Sequence, residues 1–117
     1  MWVFTREGFF SIAATKYCKP GELAVRARKR EHLEGFMARH AIKADILSLP
    51  EADYRYRIQI PRETFMDALR EEAGAVDYNS FIDASTNAGS SADYLRSLFD
   101  TWAAINRIQG EKLPDEL

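Results

Sequence analysis

The sequence predicts an α+β protein: one antiparallel sheet of four to five strands with helices on one face, followed by a C-terminal helix. Two patterns predict this class. Short segments in which apolar and polar side chains alternate, as in half-buried strands, occupy much of the first 60 residues. Segments with apolar residues every three or four positions follow them and are typical of amphipathic helices. The order is ββαββα-like, in the neighbourhood of the ferredoxin-like folds but without their strict βαββαβ order.

The N-terminal strands are expected over residues 2–5, 9–15 and 23–28. The first two segments are rich in aromatic and β-branched side chains, and the third alternates between apolar and polar positions. Residues 6–8 and the Pro-Gly pair at 20–21 are turn signals. The two longer strands should therefore pair as a hairpin.

A helix over residues 29–40 follows, because its apolar residues recur at i, i+3, i+4 and i+7. His40 falls on the same apolar stripe, where a packed or partly exposed helix histidine is the favoured interpretation over a catalytic one. Two further strands are expected over residues 45–48 and 54–60. Together with the helix predicted after them, these strands would repeat the order of two strands followed by a helix.

The C-terminal part of the chain is predicted to be helical. A helix is expected over residues 61–74, and a short helical turn over residues 77–84, with Asp77 more plausible as its N-cap than as a catalyst. The small polar stretch 85–90 should be a loop. A last helix over residues 91–109 has a wide apolar face.

The length of 117 residues suits a single α+β domain over residues 1–110 with a frayed tail over 111–117. Cys18 is the only cysteine, so an internal disulfide and a cysteine-based zinc site are excluded, and a reducing compartment is the simplest interpretation. No signal peptide and no membrane span are recognised, which favours a cytoplasmic protein.

The net charge of −2 hides an asymmetry along the chain. Residues 1–60 carry 11 Lys and Arg against 7 Asp and Glu, whereas residues 61–117 carry 5 against 11. The two halves could pair with each other in one fold, or the basic half could serve an outside partner.

No familiar catalytic or cofactor motif is present, so no catalytic residue, metal or cofactor is predicted. The six glycines are dispersed and form no phosphate-binding loop. His32 and His40 are eight residues apart, about 12 Å on a helix, too far to share one ion. The consecutive carboxylates Glu71 and Glu72 are expected to be solvated.

Four arginines are predicted to lie on the sheet face opposite the helices. Strand alternation would point Tyr54, Tyr56 and Ile58 toward the helices and the arginines away from them. This face could be plain solvated surface, a contact surface for the acidic half of the chain or for a second copy, or a site for a nucleic acid or another anion. The arginines are Arg26, Arg28, Arg55 and Arg57.

The last helix carries more large apolar residues than one packed side needs. Leu95, Phe99 and Trp102 are predicted to lie in the core or in an interface, and the chain is predicted to be a homodimer. The favoured function is a non-enzymatic interaction domain, self-associating or binding another protein through the sheet face or this helix. Nucleic-acid or anion binding through the arginines is the alternative, and an unrecognised enzyme site around residues 77–79 is a third possibility.

Five stretches, spread over nearly the whole chain, resemble short bacterial proteins of uncharacterised function. The resemblance implies a small soluble α+β domain and supplies no catalytic residues. The stretches are MWVFTREGFFS, LAVRARKREHLE, ADYRYRIQIPRE, VDYNSF and WAAINRIQ.

Overall fold

The computed structural model describes residues 1–110, and the predicted α+β class is confirmed in them. The tail predicted over 111–117 lies outside the described residues. The chain divides into two compact units, residues 1–78 and the region from Asn79 onward, and the single-domain prediction stays a prediction. The elements are β1 (Trp2–Thr5), β2 (Gly8–Ala13), β3 (Glu22–Ala27), α1 (Arg30–Arg39), β4 (Leu47–Ser48), β5 (Tyr56–Pro61), α2 (Arg62–Gly74), α3 (Phe81–Asn87) and α4 (Ala92–Gln109).

The first unit is a five-stranded antiparallel sheet in the order β1-β2-β3-β5-β4. The predicted hairpin of β2 and β3 is present, with Ile12 opposite Val25. Alternate residues of β2, β3 and β5 form a core with one stripe from each of α1 and α2, so both helices cover the same face of the sheet. The central members of this core are Phe10, Val25, Ile58, Leu33, Phe36, Phe65 and Ala68.

The turn between β1 and β2 is fixed by one hydroxyl group and one glycine. The Thr5 hydroxyl accepts hydrogen bonds from the amides of Glu7 at 3.1 Å and Gly8 at 3.3 Å. Gly8 has a φ of +155°, and a Cβ there would lie 2.1 Å from Cγ of His32. Only glycine therefore lets the hairpin approach α1 this closely.

Several predicted boundaries shift by one to three residues. β5 begins at Tyr56 rather than at Tyr54, and Pro61 ends β5 instead of opening α2. Proline is accepted here because Pro61 is also the N-cap of α2, and its φ of −56° matches the value that the proline ring imposes.

The second unit contains α3 and α4. The Ser80 hydroxyl accepts a hydrogen bond from the Asp83 amide at 3.2 Å, so Ser80 is the N-cap and the prediction of Asp77 was wrong. α3 extends to Asn87, into the stretch predicted as a loop. α4 matches its predicted range closely, with Gly110 as its C-cap. None of the helices in residues 1–110 combines the length and apolar content needed to cross a bilayer.

Candidate functional site

The face of the sheet opposite α1 and α2, called here the outer sheet face, carries aromatic and arginine side chains. Strand register places one residue from each of the five strands in a single row across it. The row consists of Trp2, Ser11, Arg26, Arg57 and Leu47.

Tyr54 belongs to the outer sheet face, and the prediction that it points toward the helices was wrong. It precedes β5, so strand alternation does not govern it. Its ring is buried beneath two guanidinium groups, Arg26 at 4.9 Å and Arg28 at 4.4 Å from the ring centroid. Phe9 lies beside it, with ring centroids 6.5 Å apart. Cation–π stacking on this tyrosine therefore fixes two of the four arginines.

The predicted arginines do not form one open patch. Arg28 bonds to Asp53 at 2.9 Å, and this hydrogen bond raises the pKa of the Arg28 guanidinium. Arg57 is buried and donates to the backbone carbonyl of Tyr54 at 3.1 Å. Arg55 is exposed and lies outside the ladder of β5. Arg28 and Arg57 therefore hold neighbouring parts of the outer sheet face together and are not free to bind a ligand.

Arg26 and Arg57 are nevertheless directly opposed across β3 and β5. Like charges in this position repel each other. No carboxylate among residues 1–110 forms an ion pair with either side chain. Arg26 donates instead to the backbone and hydroxyl oxygens of Ser11, and Arg57 donates to the backbone carbonyl of Tyr54. Arg26, Arg57 and the exposed Arg55 are therefore the predicted arginines whose positive charge is not paired with a carboxylate of the described residues.

The second half of α4 presents large apolar side chains to solvent. Tyr94, Leu95 and Leu98 are buried or half-buried, whereas Phe99 and Trp102 are 57% and 61% exposed. Ile105 and Ile108 are also exposed, with exposed fractions of 61% and 80%. Phe99 and Trp102 are therefore not core residues of the described chain, and their assignment to an interface remains a prediction.

A group of charged side chains in the first unit was not predicted as a unit. His40 follows α1, and its ring lies between two carboxylates of α2: Nδ1 is 2.8 Å from Glu71 and Nε2 is 2.8 Å from Glu72. The His40 side chain is 1% exposed and that of Glu72 is 13% exposed, so the expectation that Glu72 is solvated was wrong. Arg39 lies 3.5 Å from Glu72.

Glu7 joins this group from the turn between β1 and β2. Its carboxylate is 3.4 Å from Arg39 and its side chain is 12% exposed. Burial, together with a hydrogen bond to Glu72 and that carboxylate's charge, raises the pKa of Glu7 to about 7. Burial also acts to raise the pKa of Glu72, but hydrogen bonds from Glu7 and His40 and the charge of Arg39 outweigh it, so that pKa is lowered. A proton held between the two carboxylates therefore resides on Glu7 rather than on Glu72.

The contact between His40 and Glu72 could have been predicted from the sequence. His40 lies seven residues after Leu33 on the stripe of α1, and Glu72 lies seven residues after Phe65 on the stripe of α2. Titratable residues that continue two buried stripes are candidates for mutual contact. Glu7 carries no such signal, because a turn residue shows no periodicity.

Within residues 1–110, the two other candidate sites, around residues 77–79 and in a surface hollow, show no arrangement of side chains suited to catalysis or ligand binding. Asp77 is exposed, and the ring of Tyr78 lies under the guanidinium of Arg6, with 5.6 Å to the centroid. An open, mainly apolar hollow of about 370 Å³ beside α2 has a single guanidinium, that of Arg62, in its wall. It lacks the convergent polar groups that typify a ligand site.

With this geometry in place, the chain was compared with known proteins: it matches no protein family, no curated protein and no solved structure.

Proposed function

We propose that the protein is an association domain that binds a second copy of itself through the second half of α4. The observation that carries this proposal is the run of four large apolar side chains that are each more than half exposed, Phe99, Trp102, Ile105 and Ile108. An apolar stripe of this extent on one helix is typical of an interaction surface rather than of ordinary protein surface.

The lengths of the two helices in the second unit support the proposal. α3 has 7 residues and α4 has 18, which correspond to about 10 Å and about 27 Å at 1.5 Å per residue. A helix as short as α3 can lie beside only the first part of α4. Trp102 lies one helical turn beyond the buried Leu98, so the exposed residues continue the stripe that is buried at the N-terminal end.

The distribution of charge on α4 favours a second copy as the partner. At 100° per residue, all charged residues of the helix fall on the side opposite to Leu98, Trp102 and Ile105. A two-fold axis brings each patch against its own copy, so a charge-free stripe avoids like-charge repulsion there. The charged residues are Asp93, Arg96, Asp100 and Arg107.

The proposal is tested by light scattering on matched variants of α4. Trp102→Glu places a charge in the centre of the stripe and should convert a dimer into a monomer. Arg107→Glu places a glutamate on the opposite, charged side of the helix and should leave the dimer intact, since Arg107 is exposed. A dimer that survives Trp102→Glu, or an unmodified chain that is already monomeric, would contradict the proposal.

A second candidate function is the binding of a single-stranded nucleic acid on the outer sheet face. The observation that favours it is the opposed pair of Arg26 and Arg57, with Trp2 71% exposed in the same row. Aromatic rings that stack on bases and arginines that hold phosphates are the general plan of sheet-type binders.

Gel-shift titration with mixed-sequence oligonucleotides tests this second candidate. Arg26→Gln should weaken binding, and Arg70→Gln, an exposed arginine of α2, should not. Arg57 is buried and Arg28 is paired with Asp53, so phosphate contacts are expected from Arg26 and the exposed Arg55, and two such contacts predict a log–log salt slope of about −1.4. Absence of retardation at about 100 µM protein in low salt would remove the candidate.

A further inference from the structure

The charged group in the first unit brings metal-ligand atoms from three separate segments together. Glu7, His40 and Glu72 each offer one such atom, and these atoms all lie within 4.8 Å of one another. The segments are the turn between β1 and β2, the end of α1 and the last part of α2. Ligands of a tetrahedral Zn²⁺ ion, at 2.0–2.2 Å from the metal, are about 3.4 Å apart, so small side-chain movements are sufficient.

The histidine is oriented as a metal-bound imidazole would be. Nδ1 of His40 lies 2.8 Å from Glu71, so its N–H can donate to that carboxylate. Nε2 then faces Glu72 and carries the lone pair once its proton is removed. In metal sites the second ring nitrogen of a histidine ligand is typically held by a carboxylate in this way, which fixes both the tautomer and the ring orientation.

Glu7 supplies an acceptor atom that lacks a donor. Its Oε1 is fully buried and, among residues 1–110, receives no hydrogen bond from an N–H or O–H group. A buried acceptor without a partner is costly, and either a proton on the carboxyl group or a cation can satisfy it. This oxygen belongs to one of the three convergent groups, so a cation bound there would contact it directly.

The charges of these side chains can balance the charge of a divalent ion. Glu7, Glu71 and Glu72 provide three carboxylates, and Arg39 provides one permanent positive charge at 3.4 Å from Glu7 and 3.5 Å from Glu72. Metal ligands bind in their deprotonated form, so any proton on the Glu7 carboxyl group or on Nε2 of His40 would pass to solvent as the ion binds. Three negative and three positive charges would then balance.

We propose that Glu7, His40 and Glu72 bind one divalent transition-metal ion of the Zn²⁺ type, with Glu71 orienting the imidazole. One nitrogen and two carboxylate oxygens suit Zn²⁺, Co²⁺ or Mn²⁺, whereas Mg²⁺ and Ca²⁺ prefer oxygen alone. The ion would join the hairpin turn to both helices, independently of the stripe on α4.

Titration calorimetry with Zn²⁺ and visible absorption with Co²⁺ test this site on the full chain after treatment with a chelator. We expect one ion per chain and a rise in melting temperature with Zn²⁺. Glu7→Gln and Glu72→Gln should each weaken binding at least about 100-fold, and Glu71→Gln about 10- to 100-fold. Glu34→Gln, an exposed carboxylate of α1, is the matched control and should not change binding.

Glu7→Gln keeps the size of the side chain and can still donate to Glu72, so it should fold even where His40 variants do not. Circular dichroism checks this. Absence of binding by the unmodified chain at about 1 mM Zn²⁺, an affinity too weak for a built site, would overturn the proposal. Equal affinity in the folded Glu7→Gln variant would overturn it as well, because the ion would then bind elsewhere.

Discussion

The apolar stripes of α1 and α4 have the same periodicity but different endings. The stripe of α1 runs through Leu33 and Phe36 and ends at His40, which carboxylates of another helix surround. The stripe of α4 runs past Leu98 to Trp102 and Ile105, which are exposed. Periodicity thus identifies the apolar side of a helix, and only the tertiary structure shows whether anything covers it.

The largest difference between the two stripes should appear in stability. Phe36→Ala removes a ring that is 2% exposed and 4.9 Å from the ring of Phe10, so it should lower the free energy of unfolding by about 3–5 kcal/mol. Phe99→Ala should change it by no more than about 0.5 kcal/mol at concentrations where the chain is monomeric. Urea unfolding of both variants checks this. Similar losses would mean that Phe99 is covered within the monomer.

The approach of the hairpin turn to α1 gives a second test. Gly8→Ala places a Cβ against the ring of His32 at a positive φ, and we expect a loss of about 1–3 kcal/mol. Gly21→Ala is the control, because Gly21 also has a positive φ but no atom near the position of its Cβ. A loss at Gly21 as large as at Gly8 would show that backbone strain, rather than contact with His32, decides the effect.

Glu7 should make stability depend on pH in the metal-free protein. Its pKa is raised from 4.5 to about 7, so the folded chain holds more protons than the unfolded chain between these values. The stability that neutral Glu7 contributes is complete below about pH 4.5 and is lost as the pH rises through about 7. Glu72 acts in the opposite direction, because its pKa is lowered and its contribution is lost as the pH falls.

Glu7→Gln should therefore gain stability relative to the unmodified chain between pH 5 and pH 8, by an amount on the order of 1 kcal/mol after solvent screening. Denaturant unfolding with a chelator present measures the difference at each pH. Arg39, His40, Glu71 and Glu72 face the same group and remain in both chains, so the difference measures Glu7 together with its coupling to Glu72. A difference that is constant with pH would refute the raised pKa.

The smallest expected effect concerns the start of α3. Ser80→Ala removes the side chain that accepts from the Asp83 amide and should lower stability by about 0.5–1 kcal/mol. Asp77→Ala should have almost no effect, because Asp77 is exposed and three residues before the cap. Thermal unfolding of the two variants distinguishes the observed cap from the predicted one, and the reverse ranking would contradict it.

The sequence predicted the fold better than it predicted the sites. Alternation located β2, β3 and β5 and placed Arg26 opposite the helices, because local pattern and burial agree there. It failed at Tyr54, which lies outside the strand, so that contacts with Arg26 and Arg28 decide its direction. It also missed the partnership of Glu7 with Glu72, since no local pattern records a contact between a turn and a distant helix.

The proposal that α4 forms an interface between two copies is tested most directly by sedimentation equilibrium of the unmodified chain. Measurements should run from about 1 µM to about 1 mM, the range of weak to moderate affinities. We expect the mass to rise with concentration from 13.4 kDa toward twice that value. The rise should persist at about 1 M salt, where charge interactions are screened within about 3 Å. A mass of 13.4 kDa at every concentration would contradict the proposal.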